Sequence, residues 1–390
     1  MLTGRGLLGG RGRRAQAWAS RQPQVLRDAA ALRAGAAPGA VAYLGFAGQH
    51  NLGDDAIRDA HVRWTLGRDV QQLPVHHTRE VLRRAGAPPR PRPVLLGGGT
   101  LVGRADWLER VALYRDRGWA SAWAMLGAGV EDPGFAGRST HASWDDLRRW
   151  ADVLPLFGDV TVRGPMSQAL LSDVGVRSRV VGDPALLFAD AEPFPHVRED
   201  LVGMSVATPE DLWGGDPAPV VEALGEAARQ LVRGGRRLRV IALAAQDLAP
   251  SRAVARAAGV ADAVEVLAPA TTAQLLEQLR PCAAVIGQRL HSVVLAAAVR
   301  VPALAVEYRP KCLDFQRSIG RGAHAVSSAG LAAGDVVERT EDLLEHRDAH
   351  SAAVWAGVEP LLRELRCAAP GVRTQLGLAE FAPATAAPGA

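Results

Sequence analysis

The chain has 390 residues, 48% of them hydrophobic, and a formal charge of +4 in which 45 basic side chains are nearly balanced by 41 acidic ones. That length exceeds one compact domain and allows a sizeable core, while interspersed charges with no basic stripe among aromatics argue against a nucleic-acid partner. Cys282, Cys312 and Cys367 are scattered without a C-x-x-C pair, and no histidine cluster at metal-ligand spacing is read, so neither a disulfide framework nor a metal site is expected and a reducing cytoplasm fits.

Residues 1–40 read as a basic extension. After Arg13 and Arg14 no continuous apolar run of the kind export requires follows, and no segment is long and apolar enough to span a bilayer. A basic, amphipathic start leaves room for peripheral contact with the inner face of a membrane. From residue 41 short apolar runs alternate with helical-period stretches. "VAYLGFA" (41–47), "PVLLGG" (93–98), "ASAWAMLGAG" (120–129), "DVTVR" (159–163) and "SRVVGD" (178–183) have the pattern of strands buried on both faces, with amphipathic helices expected over 104–117 and 165–174. The linker "DAEPFPHVRED" (190–200) precedes a second round of the same rhythm: "LVGMSVA", a helix over 216–233, "LRVIALAA", "AVEVL", "CAAVIG" and "VPALAV". The βαβ rhythm implies α/β architecture with parallel sheets: two Rossmann-like domains facing a cleft, over 41–190 and 191–330. Helices over 328–346 and 350–366 close the fold within a C-terminal helical part, 331–368, and 369–390 lacks periodicity and is expected to be a disordered tail.

In open α/β sheets ligands bind beyond the carboxyl ends of the strands, so each strand-to-helix junction is a site to weigh. The first, "GFAGQHNLGDDAI", has P-loop spacing between Gly48 and Gly53, but Asp54 and Asp55 replace the Lys and Ser/Thr that a triphosphate needs. Asp54 reads either as the N-cap of a helix beginning near Asp55, with Asn51 and Gly53 shaping the turn, or as a carboxylate facing a ligand. The second, "LLGGGTLVG", places Gly97, Gly98 and Gly99 where backbone N–H groups can meet an anion or where strand and helix pack closely. At the third, Arg163 ends a strand before Pro165 opens a helix; it aims at the cleft or makes a surface salt bridge. Asp183-Pro184 reads as a turn.

The stretch "GQRLHSVVLAAAVRVPALAVEYRPKCLDF" (287–315) is the most informative. Arg289 and His291 fall in the first turn of a helix after a buried strand, where free N–H groups, a guanidinium and an imidazole make an anion site with a proton carrier. An arginine at a helix N-terminus opposes the local dipole, and such conflicts tend to mark function. Lys311 is the only lysine in the chain, against 44 arginines. A compact ammonium is not interchangeable with a guanidinium, so it reads as a specific requirement or as an accident of packing beside Glu307 or Asp314.

These pieces, in this order, resemble the polysaccharide pyruvyl transferase family. The matching stretches are "GFAGQHNLGDDAI", "LLGGGTL", the Val162-Arg163-Gly164 segment, "GDPALL", "GQRLHS" and "VP…EYRPKCLDF", spanning about residues 41–315. Asp55 stands where the family usually has Glu, and Gln288 where it often has an apolar residue. The resemblance implies a fold like that of the B-type glycosyltransferases. It implies an enzyme that moves the three-carbon unit of phosphoenolpyruvate onto sugar hydroxyls as a pyruvate ketal, releasing phosphate, in cell-surface polysaccharide or glycoconjugate biosynthesis. Phosphoenolpyruvate is then a co-substrate and no cofactor is called for; the acceptor is a sugar or glycan, free or lipid-linked.

On that reading His291, Arg289 and Asp54 are catalytic: His291 transfers a proton, Arg289 stabilises the departing phosphate, and Asp54 faces the acceptor. Arg163, clamping the donor carboxylate, and Lys311, Gly98, Gly99, Asn51 and Asp55 bind substrate. Two rivals remain at the level of sequence. A nucleotide-sugar glycosyltransferase shares the architecture but needs a base pocket, and a non-catalytic carbohydrate-binding descendant has no reason to keep Arg163, Arg289, His291 and Lys311 together.

Overall fold

The computed structural model describes residues 8–34, 40–49, 51–88, 90–135, 142–259 and 261–379. Its strands in chain order are β1 (Val41–Leu44), β2 (Val70–Gln72), β3 (Arg92–Leu96), β4 (Thr100–Val102), β5 (Ala120–Met125), β6 (Gly129–Val130), β7 (Thr161–Val162), β8 (Arg179–Val180), β9 (Arg198–Ser205), β10 (Arg237–Ile241), β11 (Val264–Leu267), β12 (Cys282–Gly287), β13 (Ala303–Glu307) and β14 (Ala325–Ser327). The helices are α1 (Leu8–Ala34), α2 (Leu52–Ala60), α3 (Thr78–Ala85), α4 (Ala105–Asp116), α5 (Trp144–Ala151), α6 (Pro165–Asp173), α7 (Ala218–Arg233), α8 (Leu248–Ala258), α9 (Thr272–Leu279), α10 (Leu290–Ala298), α11 (Pro310–Ser318), α12 (Ala333–Glu345) and α13 (Arg347–Gln375).

The apolar runs become two parallel sheets. The first has the order β2-β1-β3-β5, and beside it in the chain are two separate two-stranded ladders, β4-β6 and β7-β8. The second has the order β11-β10-β9-β12-β13-β14. Strands buried on both faces lose water on both sides, which explains why they read as unbroken apolar runs rather than alternating ones. In each sheet the strand order reverses direction once, between β1 and β3 and between β9 and β12. The loops leaving such a pair of neighbours diverge to opposite faces and open a crevice at their carboxyl ends.

The halves are tied by specific bonds. The Leu52 amide donates to Leu243 O at 3.0 Å, and Asn51 and Ala244 form an antiparallel bridge. Asp314 of α11 accepts from the Met166 amide (2.8 Å) and from Ser167 Oγ (2.6 Å), so a carboxylate from one half satisfies the free N-terminal N–H groups of α6 in the other.

One terminal expectation is extended and one is corrected. Part of the N-terminal extension is built into the fold: Val25, Ala29 and Leu32 are buried at i, i+4, i+7 spacing, and Arg33 Nε donates to Ala85 O at the end of α3. The tail expected from 369 continues α13 instead. Ala369 and Val372 are buried there, and Arg373 donates to Thr65 O (2.9 Å) in the turn after α2. Pro360 and Pro370 lie inside this helix, which is why its sequence lacked a clean helical signal. The rest of the expected tail, from 380, lies outside the described residues. Among the described residues no helix is long and apolar enough to cross a membrane.

Candidate active site

The two strand-order reversals face each other across a cleft of about 660 Å³. The segments that follow β1 and β3 contribute Phe46, Asn51, Asp54, Gly99 and Thr100; those that follow β9, β12 and β13 contribute Thr208, Arg289, His291, Tyr308 and Lys311. Arg163, at the end of β7, completes the lining. Of the residues singled out from sequence, the cleft thus gathers His291, Arg289, Asp54, Arg163, Lys311, Gly99 and Asn51.

Gly98 and Asp55 stand apart from it. A Cβ on Gly98 would run into the Ile57 side chain of α2, so this glycine serves close strand-helix packing. Gly97 is bare for a similar reason, the buried Tyr43 ring lying over it. Gly99 alone of the three has the cleft role, at φ +96 with the Asp54 carboxylate beside it. Asp55 accepts from the Gly48 amide (2.7 Å) and pairs with Arg58 at 3.5 Å, which fixes the turn after β1 and leaves it no part in the cleft.

Asn51, not Asp54, caps α2: its Oδ1 accepts from the Gly53 amide at 3.2 Å. Its Nδ2 donates to Asp54 Oδ2 at 2.6 Å, and Asp54 is thereby released from capping to face the cleft. Burial, the largest influence, pushes the Asp54 carboxyl above its ordinary range; His291, Lys311 and Arg289 pull it back only in part.

Arg163 is 1% exposed. Its Nη2 lies 3.3 Å from Thr100 Oγ1 and its Nη1 is 3.8 Å from Asp183 Oδ2, while Nε and Nη1 have no hydrogen-bond partner. The guanidinium fits because Gly129 has no Cβ; one there would approach Nη2 to 2.6 Å. His291 is 6% exposed on α10, with Nε2 3.7 Å from the same Asp183 Oδ2 and likewise unpartnered. Burial lowers the imidazole pKa; Asp183 and Asp54 act in the opposite direction.

Arg289 is the N-cap residue of α10, yet no side-chain cap forms. Its Nε and Nη2 instead grip Asp247, which is 0% exposed, at 2.9 and 2.5 Å. That carboxylate removes the conflict between an arginine and the helix dipole, and it occupies one edge of the guanidinium fork. Arg289 therefore reaches the cleft with one nitrogen, Nη1, outside this grip, and cannot offer the Nε/Nη2 edge to a phosphate. Lys311, on the first turn of α11, places its ammonium 5.0 Å from the Tyr308 ring centroid, and among the described residues it forms no ion pair. The acids nearest to it in sequence are engaged elsewhere: Asp314 caps α6, and Glu307 is bonded to Trp213. Arg309 crosses the cleft edge to Glu131 at 2.7 Å.

Sequence reading missed Asp183, Asp247 and Glu131. Asp183 carried a turn signal, which is correct for one of its oxygens: Oδ1 caps the turn over Pro184–Phe188 by accepting from Ala185 N at 3.0 Å. Asp247 and Glu131 lay in stretches with no motif. The sequence reading also passed over Asp342, His346 and His350, which do come together at i, i+4, i+8 spacing. Arg321 Nη2 lies 2.6 Å from His350 Nδ1 and must donate to it, whereas a metal-bound imidazole needs an acceptor at that nitrogen.

The sequence model of the family described as polysaccharide pyruvyl transferase matches residues 51–310, two-thirds of the chain and every residue placed at the cleft from α2 through Arg309. The chain belongs to this family. No curated protein matches it in sequence. Among solved structures, the chain is similar to a UDP-N-acetylglucosamine 2-epimerase from Rickettsia bellii at TM-score 0.50 and 10% identity, covering 87% of this chain and 98% of that one. It is similar to S. aureus MnaA, solved with UDP, at TM-score 0.51 and 13% identity, covering 80% and 89%. These likenesses concern the fold, two Rossmann-like sheets about a cleft as in B-type glycosyltransferases. Against S. aureus TarM the TM-score is 0.46 with 9% identity; 73% of this chain is covered and it spans 54% of that one.

Proposed function

We propose that this pyruvyl transferase takes its three-carbon unit from phosphoenolpyruvate and places it as a ketal across two hydroxyls of a sugar, with release of phosphate. The observation that carries the reading is the buried Arg163 guanidinium, with Nε and Nη1 unpartnered, at the wall of a cleft that also holds Lys311, Arg289 and His291. Leaving such nitrogens without acceptors is costly; Asp183 approaches Nη1 only to 3.8 Å, and a small dense anion in the cleft supplies acceptors to the guanidinium and to the cations beside it. Phosphoenolpyruvate carries a carboxylate and a phosphate on adjacent positions. Arg163 suits the planar carboxylate; Lys311 and the remaining nitrogen of Arg289 suit the phosphate.

The reaction adds a proton to the methylene carbon and a sugar oxygen to its neighbour. A second sugar oxygen then displaces phosphate, which carries away that hydroxyl's proton, while the proton taken from the first hydroxyl replaces the one given to carbon; ketal and phosphate thus contain every atom of both reactants. It needs one group that gives a proton and one that takes one. Burial moves Asp54 up and His291 down, favouring a neutral carboxylic acid beside a neutral imidazole. In this scheme Asp54 delivers the proton to carbon and His291 takes it from the attacking hydroxyl. The acceptor is a glycan under construction at the cytoplasmic face of a membrane. The test is incubation of pure protein with phosphoenolpyruvate and a panel of glycolipid and nucleotide-sugar acceptors while following phosphate. Acceptor-dependent phosphate release is expected, with a mass gain on the acceptor of about 70 Da, that of pyruvic acid less one water, as a group transfer of this kind requires. No release with any acceptor, together with no phosphoenolpyruvate binding by calorimetry, would remove the proposal.

A further inference from the structure

Asp183 is fully buried, 0% exposed, and its two oxygens have different fates. Oδ1 is consumed by the Ala185 amide. Oδ2 has no hydrogen-bond partner, and the two donors facing it, His291 Nε2 at 3.7 Å and Arg163 Nη1 at 3.8 Å, are themselves buried and unpartnered. Three orphaned polar atoms from three separate segments converging on one point is not what packing alone leaves behind, since buried polar groups are almost always satisfied. Gaps of this length are common in catalytic hydrogen bonds before substrate draws the groups together.

We propose that Asp183 is a positioning residue: its Oδ2 fixes the His291 imidazole in the tautomer protonated on Nε2, leaving the lone pair on Nδ1, and the same oxygen aims Arg163. The inference rests on the proton-transfer reading of His291. His291 sits where this can work. Its Nε2 side faces Asp183, while Nδ1 lies against Gly53 at the start of α2, the segment that presents Asp54. The charged groups about the ring are Asp183, Asp54, Lys311 and Arg163. Asp183 is the carboxylate on the Nε2 side, and only an acceptor there can select an Nε2–H tautomer. Burial keeps the ring neutral, so the choice between tautomers is a real one. A purely structural Asp183 would need only its Oδ1, and asparagine or serine caps a turn equally well.

The distinguishing variant is Asp183→Asn, which retains the capping oxygen but presents an N–H donor where Oδ2 was. The ring would then be driven to the Nδ1–H tautomer. With 15N-labelled protein, and the His291 signals assigned by comparison with His291→Gln, the imidazole nitrogen shifts should show Nε2–H in the unmodified protein and Nδ1–H in Asp183→Asn. Phosphate release should fall by about 10²-fold or more, as expected for a base held in the wrong tautomer, with the melting temperature within about 2 °C. Should Asp183→Asn fail to fold, Asp183→Ser keeps the cap without the carboxylate, and its His291 shifts should depart from the Nε2–H pattern. An unmodified protein already in the Nδ1–H form, or a folded variant with unaltered shifts and turnover, overturns the proposal. If the unmodified protein releases no phosphate at all, the transferase reading fails separately, while the tautomer comparison still decides the role of Asp183.

Discussion

Gly53 of α2 and His291 of α10 meet so closely that a Cβ on the glycine would overlap the imidazole ring. The contact joins the first half of the molecule to the second at the wall of the cleft. It explains a glycine one residue before Asp54 in a helix, where glycine is otherwise unfavourable by about 1 kcal/mol relative to alanine. Gly53→Ala should therefore favour the helix locally yet displace a buried ring that has nowhere to go. A shift of about 1 Å in a catalytic group can cost on the order of 10²-fold in turnover. Steady-state phosphate release should fall to that extent with circular dichroism unchanged; near-normal turnover in Gly53→Ala would show that the ring has freedom the packing denies it.

Asp54 gives a pH signature. Its folded pKa is raised, so the protein holds a proton that the unfolded chain has already released. The stability this contributes is fully present below the unfolded carboxyl value and is lost as pH rises through the folded one. Asp54→Asn keeps an acceptor for Asn51 Nδ2 and removes the charge. Relative to the unmodified protein the variant should thus gain stability as pH rises from the acid range toward neutrality, while losing phosphate release. Urea denaturation at a series of pH values reads the difference; a stability difference, variant minus unmodified protein, that stays constant or falls as pH rises contradicts a buried, desolvated Asp54.

How much of this was legible follows from which residues act through local sequence and which through distant partners. Parallel strands buried on both faces announce themselves as apolar runs, and junction glycines and the strand-helix step at 287–291 are local, so the fold class and most of the cleft could be read. Asp247 could not: it matters because Arg289, 42 positions away, turns toward it. Asp183 was read as a turn residue, which its Oδ1 bears out; that its Oδ2 faces His291 and Arg163 depends on partners distant in sequence and carried no local signal. Gly98 and Asp55 were over-read for the converse reason; their neighbours in sequence face the cleft, but Ile57 and the Gly48 amide claim them. The helix α1 was hidden by glycine and proline, and its burial comes from packing on α3.

Arg289 pairs with the fully buried Asp247, so breaking the pair should register in stability as well as in rate. Deleting the guanidinium in Arg289→Met strands a carboxylate that is 0% exposed, with only the Ala244 amide at 3.1 Å left to it among the bonds described. Breaking such a pair from one side typically costs about 3–5 kcal/mol. The double variant Arg289→Met with Asp247→Asn should recover much of that loss, since the stranded charge is gone, but should not recover phosphate release. Chemical denaturation of the four proteins in the cycle reads the coupling directly. Additive effects of the two single variants would mean that the pair is not coupled and that Arg289 acts on substrate alone.

Lys311 makes the opposite prediction. Its ammonium stands over the Tyr308 ring at the cleft wall, and among the described residues no carboxylate pairs with it, so no partner is stranded when it goes. Lys311→Met keeps most of the stem and deletes the charge. If the ammonium binds the phosphate of the donor, a lost charge-assisted hydrogen bond of about 1.5–3 kcal/mol should lower kcat/KM for phosphoenolpyruvate by roughly ten- to a hundredfold. The melting temperature should barely move. Lys311→Arg tests shape apart from charge. The broader, planar guanidinium has to fit between Tyr308 and a cleft that already holds Arg163 and Arg289, so it should weaken donor use although it preserves the charge and matches the arginine-rich composition of the chain. The loss should also shrink at high salt, because a partly exposed charge acting on an anion is screened. Normal kinetics in both variants, with a lowered melting temperature, would make Lys311 a packing residue and leave Arg163, Arg289 and His291 to hold the anion without it.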